Sequence, residues 1–283
     1  MAIERVGVIG GGLMGSGIAE VCARAGNDAI VHEINADAAE AALTRIEASL
    51  SRAVDRGKLD EDIRREILSR ITISTELSRQ SDRQLVIEAA TENEELKRQI
   101  FADLDALVPA DAILASNTSS IPITRLAATT GRPDRVVGLH FFNPVPVMAL
   151  VELVTTVTTA PETRDVVQAY AATLGKTVIL AKDRAGFVVN MLLVPYMLSA
   201  VRMYESGVAS AEDIDTGMRL GANHPMGPLE LTDFVGLDTT KYVADVLFEE
   251  FKEPLYASPP LLTRMVEAGL HGRKTGEGFY KYG

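Results

Sequence analysis

The chain has 283 residues, 47% of them hydrophobic, enough for one large or two modest cores. With 28 basic against 39 acidic residues the formal charge is −11, which argues against general affinity for nucleic acid or anionic membranes, local basic patches aside. The single cysteine, Cys22, cannot form an internal disulfide, so it reads as a small core residue in a protein suited to a reducing compartment.

No cleaved leader is expected, because a strand begins by about Arg5. Val6, Val8 and Ile9 form its buried part, and Gly10, Gly12 and Gly15 follow on the spacing G-x-G-x-x-G before a helix over 13–25 that stops at Gly26. That order of strand, glycine turn and helix is the dinucleotide fingerprint: a tight turn, close backbone approach to a pyrophosphate, and close helix–strand packing. The phosphates would lie at the helix N-terminus, where unpaired N–H groups and the dipole favour anions. Leu13 and Met14, between the glycines, are counted with them at the cofactor. A second strand over 28–32 ends at Glu33, about 20 residues past the turn, where a ribose-binding carboxylate belongs.

Residues 36–56 are Ala-rich, with Leu43, Ile46, Leu50 and Val54 at helical steps, and stop at Gly57. Arg52, Arg56 and Lys58 crowd this helix end, either as solvated cations at a C-terminus or as a patch for a phosphate-rich substrate. A short helix over 61–68 and strands over 71–74 and 85–87 follow, the last emerging into residues 88–92. Next come a helix over 93–107 and a strand over 112–115 that opens into Ser116-Asn117-Thr118-Ser119-Ser120. Alternating strands and helices of this length imply a doubly wound parallel sheet with ligands outside the carboxyl ends of its strands. Glu92, Asn117 and Ser119 belong at that edge.

The strand over 135–141 carries His140 and runs into Asn143-Pro144-Val145-Pro146; the strand over 150–155 carries Glu152. Two prolines in so short a loop suit a reversal, so these strands are antiparallel. Pairing centred near Pro146 sets His140 opposite Glu152 on one face, as a histidine–carboxylate couple. A helix over 162–174 and a strand over 177–181 end the α/β pattern near Arg184. Beyond it only helices are expected, over 187–205, 211–220, 228–234, 238–251 and 260–268, making residues 185–283 a separate all-α domain after a domain of residues 1–184. The apolar run 187–201 is interrupted by Asn190 and Pro195 and is too short for a membrane span. The tail from Gly272 mimics a phosphate loop, but Arg273 stands where lysine is needed, and it reads as a docking turn.

Removing hydride from an alcohol carbon needs a base for the hydroxyl proton, and imidazole exchanges protons near neutral pH. His140 fits that task beside a dinucleotide site, with Glu152 to hold one tautomer and stabilise imidazolium. His32, His224 and His271 read as structural or surface residues. Ser119 and Asn190 can hydrogen-bond the substrate oxygen, although Asn190, an amide in an apolar run, is equally well explained by a structural partner. No cluster has metal-ligand spacing, and no metal is expected.

The chain resembles the NAD-dependent L-3-hydroxyacyl-CoA dehydrogenases, particularly the bacterial 3-hydroxybutyryl-CoA dehydrogenases. The likeness is carried by residues 10–19, Ser116-Asn117-Thr118-Ser119-Ser120, residues 138–144, residues 186–190, residues 221–228 and the Gly278-Phe279-Tyr280 ending, in order along the whole chain. It implies an N-terminal Rossmann-like domain and a helical domain that makes the interface of a homodimer. It implies His140 as base, Glu152 as its orienting partner, and Ser119 and Asn190 on the substrate oxygen. Asn117, Ala89, Glu92 and Lys97 match positions near the nicotinamide half of NAD, and Arg52, Arg56 and Lys58 lie where the CoA moiety is received. The family commonly has Asp at the ribose position, where this chain has Glu33; either carboxylate can accept both ribose hydroxyls. The expected protein is cytoplasmic and acts on an acyl-CoA. Alternatives are 3-hydroxyadipyl-CoA or a gulonate-type sugar acid as substrate, or a non-catalytic crystallin-like role for the same fold.

Overall fold

A computed structural model describes residues 2–283. The chain divides into two compact units, residues 1–184 and 185–283.

The first unit is built on one eight-stranded sheet: β1 (Arg5–Ile9), β2 (Asp28–His32), β3 (Ile71–Ser74), β4 (Leu85–Glu88), β5 (Ile113–Ser116), β6 (Val136–Phe141), β7 (Leu150–Thr155) and β8 (Thr177–Lys182). The spatial order is β3-β2-β1-β4-β5-β6-β7-β8. β1 to β6 run parallel, β7 is antiparallel to β6, and β8 pairs parallel with β7, so the reversed edge is two strands wide. The central strands are apolar because both faces are covered, as Val6, Val8, Leu85, Ile87 and Leu114 show by complete burial.

The helices between strands are α1 (Leu13–Arg24), α2 (Ala36–Asp55), α3 (Glu61–Ser69), α4 (Glu94–Leu107), α5 (Ile123–Ala127) and α6 (Pro161–Thr173). Asn35 caps α2 through the Ala38 N–H, and Asn93 caps α4 through the Leu96 N–H. Helix α5 was not expected; Asp183 receives the Ile123 and Thr124 N–H groups at its first turn, so a residue just past β8 substitutes for a local cap. Close packing of α1 on β1 depends on Gly15, where a Cβ would overlap the Gly10 carbonyl.

The second unit contains α7 (Val189–Glu205), α8 (Ala211–Thr216), α9 (Pro228–Val235), α10 (Leu237–Phe251) and α11 (Pro260–Glu267). Its core includes Val194, Leu198, Val201, Leu229, Leu247 and Leu262. Helix α8 ends four residues before the expected point, because residues 217–221 continue as a π turn. Asp215, buried in α8, accepts the Leu229 and Glu230 N–H groups and so caps α9. Asp233, buried in α9, accepts the Phe279 and Tyr280 N–H groups and the Tyr282 hydroxyl, each at 2.9 Å. The tail is thereby docked as a small turn with bridges Gly272–Glu277 and Glu277–Lys281. Burial raises the Asp233 pKa, outweighing these hydrogen bonds, and pushes the Tyr282 phenol up to about 12. Among the described residues, no helix is long and apolar enough to cross a membrane.

Candidate active site

In the first unit the carboxyl ends of β1, β4, β5 and β6 share one edge, and the strand order changes direction between β1 and β4. A crevice at such a switch point is where this architecture binds ligands. Here a cavity of about 350 Å³ is lined by Gly10, Gly12, His32, Glu33, Ala89 and Thr91, with Leu77 and Leu96 among its other walls.

The residues present fit a dinucleotide. Gly10 has φ +91°, which L side chains rarely adopt, and the Ala89–Ala90 backbone packs against it. A Cβ on Gly12 would meet nothing within 4 Å, so the backbone there is open to approach. Gly12 caps α1 without a side-chain hydrogen bond, and no acid occupies the first turn, which leaves that end receptive to an anion. Leu13 is exposed, Met14 half-buried. The Glu33 carboxylate accepts the Gly11 N–H at 2.5 Å and the Ile34 N–H at 3.2 Å, which fixes it over the glycine turn at the cavity. His32 lines the same cavity; burial lowers its pKa against the opposing pull of Glu33.

His140 lies opposite Glu152 in the antiparallel β6–β7 register. Its Nδ1 is 2.7 Å from Glu152 Oε2, and both side chains are buried. The Phe142 ring stands edge-on at 4.7 Å between centroids. The carboxylate on Nδ1 fixes the orientation of the ring.

The turn after β5 sits beside this pair. Asn117 donates its N–H to the Glu88 carbonyl, and its Oδ1 accepts the Phe141 N–H at 2.9 Å, which ties the turn to the residue after His140. Ser119 is half-buried. Glu92 Oε1 accepts from Thr118 Oγ1, from the Ser119 N–H at 3.3 Å and from Ser120 Oγ at 2.9 Å. Lys97 lies beneath, 1% exposed, its ammonium directed to Glu88 at 2.6 Å, the Ala90 carbonyl at 3.1 Å and Glu92 at 3.3 Å. The structure thus gathers Ala89, Glu92, Lys97, Asn117 and Ser119 around the ends of β4 and β5. Asn190 belongs to the second unit, half-buried at the start of α7.

The basic residues separate. Arg52 lines a second cavity of about 260 Å³ with Arg45, Glu20, Ser49, Asn143 and Pro144 among its walls, whereas Arg56 and Lys58 are exposed outside that lining. Arg45, which donates to the Gly11 carbonyl at 3.1 Å, escaped the sequence reading. Its position two helical turns before Arg52, on the same face of α2, was the available signal.

Comparison with known proteins agrees with this architecture. The profile of the 3-hydroxyacyl-CoA dehydrogenase NAD binding domain matches residues 5–184, and that of the family's C-terminal domain matches residues 186–282. A 3-hydroxybutyryl-CoA dehydrogenase of Mycobacterium tuberculosis is 57% identical over 283 residues, covering 99% of each chain. The crystal structure of M. tuberculosis FadB2 superposes with a TM-score of 0.99 at 56% identity, covering 100% of both chains. That of the (S)-3-hydroxybutyryl-CoA dehydrogenase PaaH1 from Ralstonia eutropha gives 0.96 at 46% identity, again over 100% of both. The chain belongs to the 3-hydroxyacyl-CoA dehydrogenase family.

Proposed function

We propose that the protein interconverts (S)-3-hydroxyacyl-CoA and 3-oxoacyl-CoA with NAD, with 3-hydroxybutyryl-CoA as the substrate. The observation that carries this reading is the buried His140–Glu152 pair at 2.7 Å, placed on the sheet edge that carries the glycine turn. NAD, when bound, supplies the hydride acceptor for C3. His140 Nε2 takes the hydroxyl proton as the alcohol is oxidised and returns it on reduction. Glu152 keeps Nδ1 protonated and offsets the charge of the imidazolium. Ser119 and Asn190 hydrogen-bond the oxygen that alternates between hydroxyl and carbonyl. Arg52, at its cavity, with Arg56 and Lys58 nearby in sequence, receives the phosphates of CoA. The direct test is NADH oxidation on addition of acetoacetyl-CoA. Turnover is expected, and its absence would reject the reading, including in favour of a non-catalytic binding protein.

Glu33 supplies the choice of cofactor. Its carboxylate, held by two backbone N–H groups at the cavity, accepts both adenine-ribose hydroxyls, and a 2′-phosphate would meet like charge. Ile34 and Asn35 offer no guanidinium in compensation. Wild type is expected to favour NADH over NADPH by tenfold or more in kcat/KM, about 1.4 kcal/mol. Glu33→Ala should narrow that gap; equal use of both cofactors by wild type would remove the assignment.

The protein works in the cytoplasm as a homodimer joined through the second unit. One face of α7 is buried in its own unit's core, including Val194, Met197, Leu198 and Val201. Leu192, Val208 and Leu220 nevertheless stay 70% or more exposed, apolar surface that a partner copy would cover. Light scattering at micromolar concentration is expected to give twice the chain mass, and a stable monomer would exclude the dimer.

A further inference from the structure

We infer that Glu88 is the positioning residue that couples the cofactor side of the site to the turn carrying Ser119. The inference rests on the dehydrogenase reading above.

Glu88 ends β4, the strand between β1 and β5, opposite Ile9 on one side and Ser116 on the other. Its side chain is fully buried and takes three donors. Oε1 accepts Lys97 Nζ at 2.6 Å and the Ala90 N–H at 2.7 Å; Oε2 accepts Ser116 Oγ at 2.6 Å. A carboxylate without solvent is tolerated only where a countercharge and hydrogen bonds satisfy it, and Lys97 supplies the charge.

Two routes leave this carboxylate. On the cofactor side, Ala90 is held by both backbone polar groups, its N–H on Glu88 and its C=O on Lys97. The Ala90 N and Cα would lie 3.0 Å from a Cβ on Gly10, next to the Ala89 carbonyl at 2.9 Å, so fixing Ala90 fixes part of the wall behind the glycine turn. On the substrate side, Ser116 Oγ accepts the Thr118 N–H at 3.2 Å while donating to Glu88. Lys97 also reaches Glu92, which grips Thr118, Ser119 and Ser120. Lys97 hydrogen-bonds Glu88 and the Ala90 carbonyl and pairs ionically with Glu92 at 3.3 Å. It therefore acts from beneath, and the closer, fully buried of the two carboxylates that hold it there is Glu88's.

A residue that only supports the fold would lower Tm and leave the kinetics of the folded enzyme alone. A positioning residue separates its effects, with Ala90 felt in cofactor affinity and Ser119 in kcat. Glu88→Gln keeps the shape and removes the charge. Measured well below its Tm, it is expected to weaken NADH binding at least tenfold by titration and to lower kcat with acetoacetyl-CoA at least tenfold. Because Glu88→Gln leaves the buried Lys97 with only the more distant Glu92 as countercharge and could unfold, Glu88→Leu/Lys97→Met removes both charges of the buried pair together, a change that buried pairs often tolerate in stability. It is expected to fold and to show the same two losses. Wild-type NADH affinity and kcat in either folded variant would overturn the inference. Should wild type fail to turn over acetoacetyl-CoA, the functional reading is what fails, and the NADH titration of the variants still decides the role of Glu88 toward Ala90.

Discussion

His140→Ala is expected to lower kcat at least about a hundredfold while the enzyme still folds and binds NADH, the usual scale for a positioned acid–base group. The side chain is buried at the end of β6 but the strand's ladder does not depend on it, since the backbone pairing with β7 uses main-chain groups. Removing it leaves Glu152 without its 2.7 Å partner inside the protein, so some loss of stability accompanies the loss of rate. Glu152→Gln tests the other half. It keeps the size and one acceptor oxygen but removes the countercharge to imidazolium, so turnover should fall while NADH affinity holds. Near-normal turnover by His140→Ala in an NADH-oxidation assay would show that another group takes the proton.

Asp233→Ala is expected to cost the second unit about 3 kcal/mol or more, the scale of losing several hydrogen bonds to one buried carboxylate. The Phe279 and Tyr280 N–H groups and the Tyr282 hydroxyl all lose their acceptor at once, and among the described residues no other hydrogen bond fastens those three groups to α9. Gly278 is compact for the same reason, because a Cβ there would run into the Asp233 carboxylate. Asp233→Asn retains one oxygen and should cost less. Denaturant unfolding followed by tyrosine fluorescence measures both, and a loss below about 1 kcal/mol for the alanine variant would mean that the tail is held by something other than this acid.

The parallel strands were legible because a doubly covered parallel sheet needs apolar runs, and Val6–Ile9 and Leu85–Ile87 supply them with few competitors. The His140–Glu152 pairing was legible for a geometric reason: an antiparallel ladder keeps the sum of paired positions constant, and the two prolines marked its centre. Helix α5 was hidden, since five residues rich in β-branched side chains leave no period to detect, and its cap comes from Asp183, far along the chain. The π turn after α8 was hidden as well, because an extra residue in a turn leaves the composition unchanged. Glu88 and Asp233 illustrate a different kind of concealment. Glu88 closes an apolar strand and Asp233 lies within a helix, and each reads as a solvated acid until the fold brings donors from Lys97 and Ser116, or from the tail, around it. Such acids inside apolar segments are the signal that was present and went unread.

The earliest of the eight strands in the chain lies inside the sheet, between β2 and β4. During synthesis β1 can be covered on one side as soon as residues 28–32 emerge, but its other side waits for Leu85–Glu88. Throughout that interval Val6 and Val8 sit on a strand with a row of unpaired N–H and C=O groups, a template for pairing with another nascent chain. The β1–β4 ladder also closes a long loop, which slows refolding relative to the local helices. A ribosome stalled between residues 33 and 84 therefore carries β1 with one side open, and a fragment ending after Ser116 encloses β1 between β2 and β4 but passes the open side on to β5, which waits for residues 136–141.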